Sequence, residues 1–400
     1  MNQATDTARP VEVGTASLYL LGILAASLLI QSLTDLRQAI LFVLGVGLGI
    51  SLLHAMFGFT GAWRKFITHR RSEGMRANIL LLMLTSLLFF PLLGGLWPQL
   101  PVSGAVSPVG YAVLIGAFLF GIGMQLGGGC GSGTLFTMGQ GQADMLLTLL
   151  FFIVGATFAS SHLNWWFALG DIGSISLIKE FGWFAGLAIT WAVLVLLYIL
   201  VTYLDKQKNS RLSPVFTPVS RDRVIPTLVH GVWPLWWAVL ALAVLNLLTL
   251  LIAGHPWSIT FAFSLWGTKV WAALGGDVSQ WQYWNLTYPS QALNNSVLLD
   301  VTSIMDFGLI LGAGLAATLA GRFAPATSFN SRKLFAVIAG GLLLGYGARL
   351  AFGCNIGALL AGISSGSVHG WLWLVAGFVG NIVGVRLRVV IGLDKKQGAS

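Results

Sequence analysis

Charge is what this chain has least of. Only 9% of its 400 residues are Asp, Glu, Lys or Arg, against about 25% in a soluble domain. So few charges cannot clothe a chain of this length in a water-facing surface. Cysteine is almost absent too; two residues are too few for a disulfide framework. His54, His162, His230, His255 and His369 show no metal-ligand spacing, and two cysteines in separate halves do not make a zinc site. There is no Walker motif, which argues against ATP-driven transport within this chain, and no nucleophilic triad. Nothing therefore marks the chain as an enzyme, and no catalytic residue, metal or cofactor is assigned. Strand-like alternation is also missing, which argues against an outer-membrane barrel.

What is present is apolar: 56% hydrophobic residues and a mean hydropathy of +0.82. Uncharged runs of about twenty residues match the thickness a helix must cross. They predict ten membrane helices, at 16–32, 38–57, 76–93, 109–128, 143–160, 182–204, 232–253, 303–321, 334–351 and 368–390. The 50 glycines and 16 tryptophans suit close helix contacts and interfacial anchors. Residues 1–14 hold Asp6 and Glu12 against Arg9 alone, so the first run reads as a retained helix and not as a signal peptide.

The net charge of +9 could suggest nucleic acid. The distribution gives another cause. Arg9 stands before the first helix. Arg64, Lys65, Arg70, Arg71 and Arg76 crowd one loop, and Lys206, Lys208, Arg211, Arg221 and Arg223 crowd another. Arg322, Arg332 and Lys333 fill a third, and Arg386, Arg388, Lys395 and Lys396 mark the C-terminal end. Ten crossings with both termini inside put 18 of the 22 basic residues on the cytoplasmic side. The expectation is a multi-pass protein of a bacterial inner membrane, partnered by the lipid bilayer and not by nucleic acid. It divides into an N-terminal helix (1–37), a first membrane repeat (38–204), a cytoplasmic linker (205–231) and a second membrane repeat (232–400). The last includes a Trp-rich outer segment, 254–300, whose Trp257, Trp266, Trp271, Trp281 and Trp284 suggest helices lying at the outer interface.

The repeat is direct. Residues 116–133 read GAFLFGIGMQLGGGCGSG and residues 340–357 read GGLLLGYGARLAFGCNIG. They share G-x4-G-x-G-x2-L-x2-G-C-x2-G without gaps. The predicted helices leading into the two copies cross in opposite directions, so the copies are inverted. Inverted repeats with interrupted helices set a binding site near the bilayer midplane. Non-helical backbone at that depth must be buried or line a cavity.

A Gly-rich turn entering a short helix offers unpaired N–H groups and a positive dipole end to an anion. Candidate half-helices are 134–138 and 355–363. Candidate anion contacts are Gly129, Cys130, Gly131, Ser132 and Gly133 in the first loop, and Gly353, Cys354, Asn355 and Gly357 in the second. A neutral thiol is a weak donor and a soft partner for sulfur. For Gly116, Gly121, Gly123 and their mates, close helix packing is the favoured explanation. A Cys130–Cys354 disulfide needs the loops to meet. Arg349, with Gln125 at the matching place of the other copy, either attracts an anion or pairs with a carboxylate or backbone carbonyls.

At these motifs the chain resembles the YeeE/YedE-like sulfur-transport family of permeases, helped by FGFTGAWR at 57–64. The resemblance spans roughly 38–390. It implies an all-α polytopic membrane fold in two inverted repeats, with half-helices at the Gly–Cys loops. It also implies a constricted central path in which cysteines pass thiosulfate along by S–H···O contacts. Cys130 and Cys354 match two of those cysteines. Thiosulfate-importing members carry a third where Gly58 stands here, so the Gly58 backbone and the Thr60 hydroxyl are the candidate contacts at that place. The second loop, with Asn355, also looks like the selenium-associated branch. The expected function is uptake of a small sulfur-containing anion, thiosulfate first. The rivals are another sulfur or selenium compound, or a membrane thiol redox or sulfur-relay protein whose cysteines react covalently. Family context implies a cytoplasmic sulfur-acceptor protein as partner.

Overall fold

The structure, a computed structural model, describes residues 13–323 and 330–394. Arg9, Lys395 and Lys396, used in the charge argument, lie outside the described residues. In chain order the helices are α1 (Val13–Leu33), α2 (Leu36–His54), α3 (Phe59–His69), α4 (Glu73–Leu93), α5 (Tyr111–Gly127), α6 (Gly131–Gly139), α7 (Ala143–Ser161), α8 (Leu163–Phe167) and α9 (Leu177–Lys208). After a stretch containing α10 (Val224–His230) come α11 (Leu235–Ala253), α12 (Thr260–Ala273), α13 (Thr287–Asn294), α14 (Val301–Leu319) and α15 (Ser331–Leu350). A π-helical stretch, Asn355–Leu360, then runs into α16 (Ala361–Ser364), and α17 (Val368–Ile391) closes the described chain.

Among the described residues, ten helical segments are long and apolar enough to cross a membrane, in the order of the ten predicted runs. The protein is an all-α polytopic membrane protein. Strand is confined to a short antiparallel pair, Pro108–Gly110 with Asp171–Ser174, which carries no sequence signal at that length. Leucines at 18, 21, 24 and 28 of α1 point outward, as expected of a helix that faces lipid.

The core is built by glycine. A β-carbon on Gly116 of α5 would stand 2.7 Å from the Gly347 carbonyl of α15, and one on Gly347 would stand 2.5 Å from the Gly116 carbonyl. Gly123 lies in the same way on Gly340, and Gly121 on the Gly377 carbonyl of α17. These glycines of the repeat serve close packing, as the spacing suggested. The packing pairs have a pattern. α5 lies against α15 and α17, and α15 against α5 and α7; α2 lies on α14, and α4 on α11.

Three segments differ from the sequence reading. α3 falls in what reads as a basic loop. Its one-sided burial of Phe59, Trp63 and Phe66 makes a helix, which Arg64, Lys65 and the neighbouring arginines hide from a hydropathy scan. Segment 254–300 is not simply interfacial: Trp257 and Trp284 are fully buried while Trp271 is exposed, and α12 packs on α7, α14 and α15. Its first part, around 256–268, is core, and the rest is largely exposed. The sixth run is longer than predicted, reaching from Leu177 to Lys208 across a kink at Gly182 (φ 76°).

Candidate functional site

Each Gly–Cys loop does the same local work. α5 ends where Gly128 takes a left-handed conformation (φ 84°), and Cys130 follows in extended geometry as the N-cap of α6. After α15 the chain passes through Gly353 (φ 148°), and Cys354 caps the second half-helix. Only glycine adopts such a φ readily. The residue before each cysteine must be small for a second, shared reason. A β-carbon on Gly129 would stand 2.9 Å from the Thr134 nitrogen, and one on Gly353 would stand 2.9 Å from the Ala358 nitrogen.

Both sulfurs act as cap acceptors. The Gly133 N–H donates to Cys130 Sγ at 3.4 Å, and the Ile356 N–H donates to Cys354 Sγ at 3.4 Å. Both cysteines are free and fully buried. Ser132 Oγ lies 3.5 Å from Cys130 Sγ. The other first-turn N–H groups of a helix have no partner within it, so each loop presents donors beside a thiol.

The two loops meet. A β-carbon on Gly131 would stand 3.0 Å from Cys354 Sγ, and one on Gly357 would stand 3.0 Å from Ser258 Oγ. A cavity of about 340 Å³ reaches the Cys130 loop, lined by Gly58, Thr60, Asn78, Gly129, Cys130 and Gly133, with Lys65 and Glu73 also on its wall. Five sequence candidates, Gly58, Thr60, Gly129, Cys130 and Gly133, share the cavity wall, and two more, Gly131 and Cys354, meet beside it. The Thr60 hydroxyl and both polar atoms of the Asn355 side chain are buried and find no protein partner among the described residues. The Gly353 carbonyl is taken by Trp373 Nε1 at 3.2 Å.

Arg349 packs on an aromatic ring. Its guanidinium stands 3.5 Å over the Tyr283 ring in the segment before α13, and no hydrogen bond or ring contact joins it to either thiol. Its counterpart Gln125 proves more connected. Arg64 Nε donates to Gln125 Oε1 at 2.8 Å, and Gln125 Nε2 donates to Asn381 Oδ1 at 2.5 Å and to the Thr60 carbonyl at 3.3 Å. Arg388 donates to the Gln125 carbonyl at 2.7 Å and grips Asp394 with two bonds of 2.7 and 2.8 Å. This network ties α3, which carries Thr60, to α5, the helix that leads into the Cys130 loop. Those hydrogen bonds from Arg388 hold the Asp394 carboxyl below the usual carboxylate range. Sequence reasoning flagged Gln125 only as the mate of Arg349. It missed Asn78, Ser258 and the wall residues Lys65 and Glu73. Ser258 had one faint signal, since PWSI follows α11 as FGFT follows α2.

A family model described as Sulphur transport matches residues 54–383. The thiosulfate transporter TsuA of Spirochaeta thermophila is 27% identical over 354 residues, which is 85% of this chain and 95% of that protein. TsuA of Escherichia coli K12 is 25% identical over 347 residues, 83% of this chain and 89% of its own. A protein named Probable transporter YedE, of Salmonella typhimurium LT2, is 30% identical over 169 residues. That match spans 41% of each chain.

Proposed function

The chain belongs to the Sulphur transport family, and from that premise we propose that it is a permease for uptake of a small sulfur-containing anion, thiosulfate first. The path runs past Cys130 and Cys354. The observation that carries this reading is the contact of the two loops, where Gly131 of one half touches the Cys354 sulfur of the other. The pairwise exchange of packing partners supports two inverted halves, 38–204 and 232–400, joined by the linker 205–231. The basic loops support an inner-membrane orientation with both termini cytoplasmic. The cavity then opens toward the cytoplasm, where a sulfur-acceptor protein receives the ion.

The chemistry follows from the caps. Each sulfur accepts a backbone N–H, which leaves its own S–H to donate to an anion. Half-helix N-termini add positive dipole ends. Thr60 and Asn355 supply further polar contacts, and Gly131, Ser132, Gly133, Gly353, Asn355 and Gly357 shape the turns. Several weak contacts replace the ion's water and still let it leave. Arg349, over the Tyr283 ring, adds positive charge to the approach of the anion. Gly58 leaves the cavity wall without a third thiol. Gly58 and Asn355 favour a second reading, a related sulfur or selenium anion.

The test is uptake of radiolabelled thiosulfate by a transport-deficient strain, with Cys130→Ala and Cys354→Ala at matched expression. Uptake lost in both variants supports the path. No uptake by well-expressed wild type removes thiosulfate, and competition by selenium and other sulfur anions then identifies the substrate.

A further inference from the structure

The buried carboxyls within the membrane helices differ in one respect. Asp144 pairs with Lys333 at 2.8 Å. Asp205 accepts the Ser72 N–H and hydroxyl at 2.7 Å each. Asp300 accepts the Ser303 N–H and hydroxyl at 2.8 and 2.6 Å and the Tyr288 hydroxyl at 2.9 Å. Asp306 is completely buried, and neither of its oxygens has a hydrogen-bond partner among the described residues.

Its position gives this meaning. α6 runs beside α14, with Gly139 packed on the Ile310 carbonyl and the Gln140 amide donating to the Arg322 carbonyl at 3.3 Å. The two helices are therefore parallel. At 1.5 Å per residue, the N-terminal end of α6 at Cys130 falls level with the first two turns of α14, where Asp306 sits. Trp266 closes this side, stacked on Phe307 and donating to Ser303 Oγ at 2.8 Å.

No cation faces the carboxyl. α2 carries only Arg37 and His54, at its two ends, and α6 carries no charged residue. On α12, Lys269 is held by the Leu293 and Asn295 carbonyls at 2.6 Å. α1 brings Tyr19, against Gly314, and α10 brings His230, against the Leu319 carbonyl. The nearest other acid is Asp300, six residues earlier on the chain, itself held by Ser303 and Tyr288. A carboxylate buried without a partner neutralises by taking a proton. An ionisable group inside a membrane protein and beside its path is a candidate proton relay.

Resting on the permease reading above, we propose that Asp306 is the proton site of a proton-coupled anion step. Its carboxylic acid stands beside the anion at the thiols. As a carboxylate it repels the ion, so proton and anion bind with positive coupling, which is reciprocal. The proton taken from the side of anion uptake leaves Asp306 on the side of release, and no electrons move.

The test uses the full chain in proteoliposomes holding an internal pH dye, with the membrane potential clamped. In wild type, an inward thiosulfate gradient acidifies the lumen. Above the carboxyl's own pKa its uptake rises as outer pH falls, up to about tenfold per pH unit for a single linked proton, and it levels off once the carboxyl is protonated. Asp306→Asn abolishes both the acidification and the pH dependence, and Asp306→Glu keeps them. Wild-type uptake without proton movement, or acidification persisting in Asp306→Asn, overturns the proposal. Infrared spectra of the purified protein give a readout that does not need transport. A protonated-carboxyl band at neutral pH, lost in Asp306→Asn, is expected even if thiosulfate is not carried. Its absence from wild type overturns the proton site, whereas absence of thiosulfate flux with the band intact overturns only the choice of substrate.

Discussion

The Cys354 sulfur occupies space that a β-carbon on Gly131 would need, the two standing 3.0 Å apart. One half of the protein thus closes on the thiol of the other. Gly131→Ala is expected to push Cys354 aside and cut uptake at least tenfold, about 1.4 kcal/mol or more in the barrier, with normal membrane insertion. Gly133→Ala, 3.4 Å from Cys130 Sγ and in ordinary contact, is expected to have the smaller effect. Equal losses in the two variants, measured as initial uptake rates at matched expression, would count against a junction at Gly131.

Serine separates hydrogen-bonding thiols from reacting ones. Cys130→Ser and Cys354→Ser keep an N-cap acceptor and an O–H donor, whereas alanine removes both, with a cap worth about 0.5–2 kcal/mol. If the thiols only donate to the anion, the serine variants retain measurable uptake and melt no lower than wild type, while the alanine variants lose uptake. If the thiols form covalent bonds to sulfur, serine is as inactive as alanine and wild type shows a persulfide by mass spectrometry.

Gly58 has room for a side chain. Its backbone is extended (φ −162°, ψ 155°) and a β-carbon there meets nothing within 4 Å. Gly58→Cys is expected to fold normally and to expose its thiol to the cavity, readable by maleimide labelling. Thiosulfate uptake is expected to rise. A variant that folds and labels but carries less thiosulfate would separate this chain from a three-thiol path.

Gln125 and Asp394 give stability predictions. Gln125→Ala strands Arg64 and Asn381 in a buried setting, where each lost partner costs about 1–3 kcal/mol, so the detergent melting point should fall. Asp394 is depressed by Arg388. Its stabilising contribution is therefore present above the unfolded carboxyl value of about 3.9 and is lost as pH falls through the lower folded value. The melting difference between wild type and Asp394→Asn should be present at neutral pH and vanish in acid. Exposure of Asp394 keeps it small.

Much of this was legible in the sequence, and the limits have physical causes. Spans are set by apolar run length, so the ten crossings could be read directly. The turn-and-cap geometry of the two loops could be read because it is local: G-C-x2-G fixes a turn, a cap and a thiol within a few residues. What escaped depends on contacts between distant segments. Gln125 gains its role only where Arg64, Asn381 and Arg388 converge. Ser258 and Trp257 read as part of an outer loop, because nothing in a Trp-rich, charge-poor segment distinguishes an interfacial helix from a buried one. The Arg349 contact with Tyr283 joins positions 66 apart in chain order, which the repeat does not encode.

The backbone-to-backbone seam between α5 and α15 has a mechanical meaning. Gly116 and Gly347 each sit against the carbonyl of the other, like teeth cut to a single mesh. There is no side-chain layer between the helices to lubricate a slide, and a slip by one residue would drive a neighbouring side chain into the opposite backbone. That pair is the axle of the machine. Whatever moves as an ion passes belongs to the lighter parts hung from it: the half-helix tips, α3 and the thiols themselves.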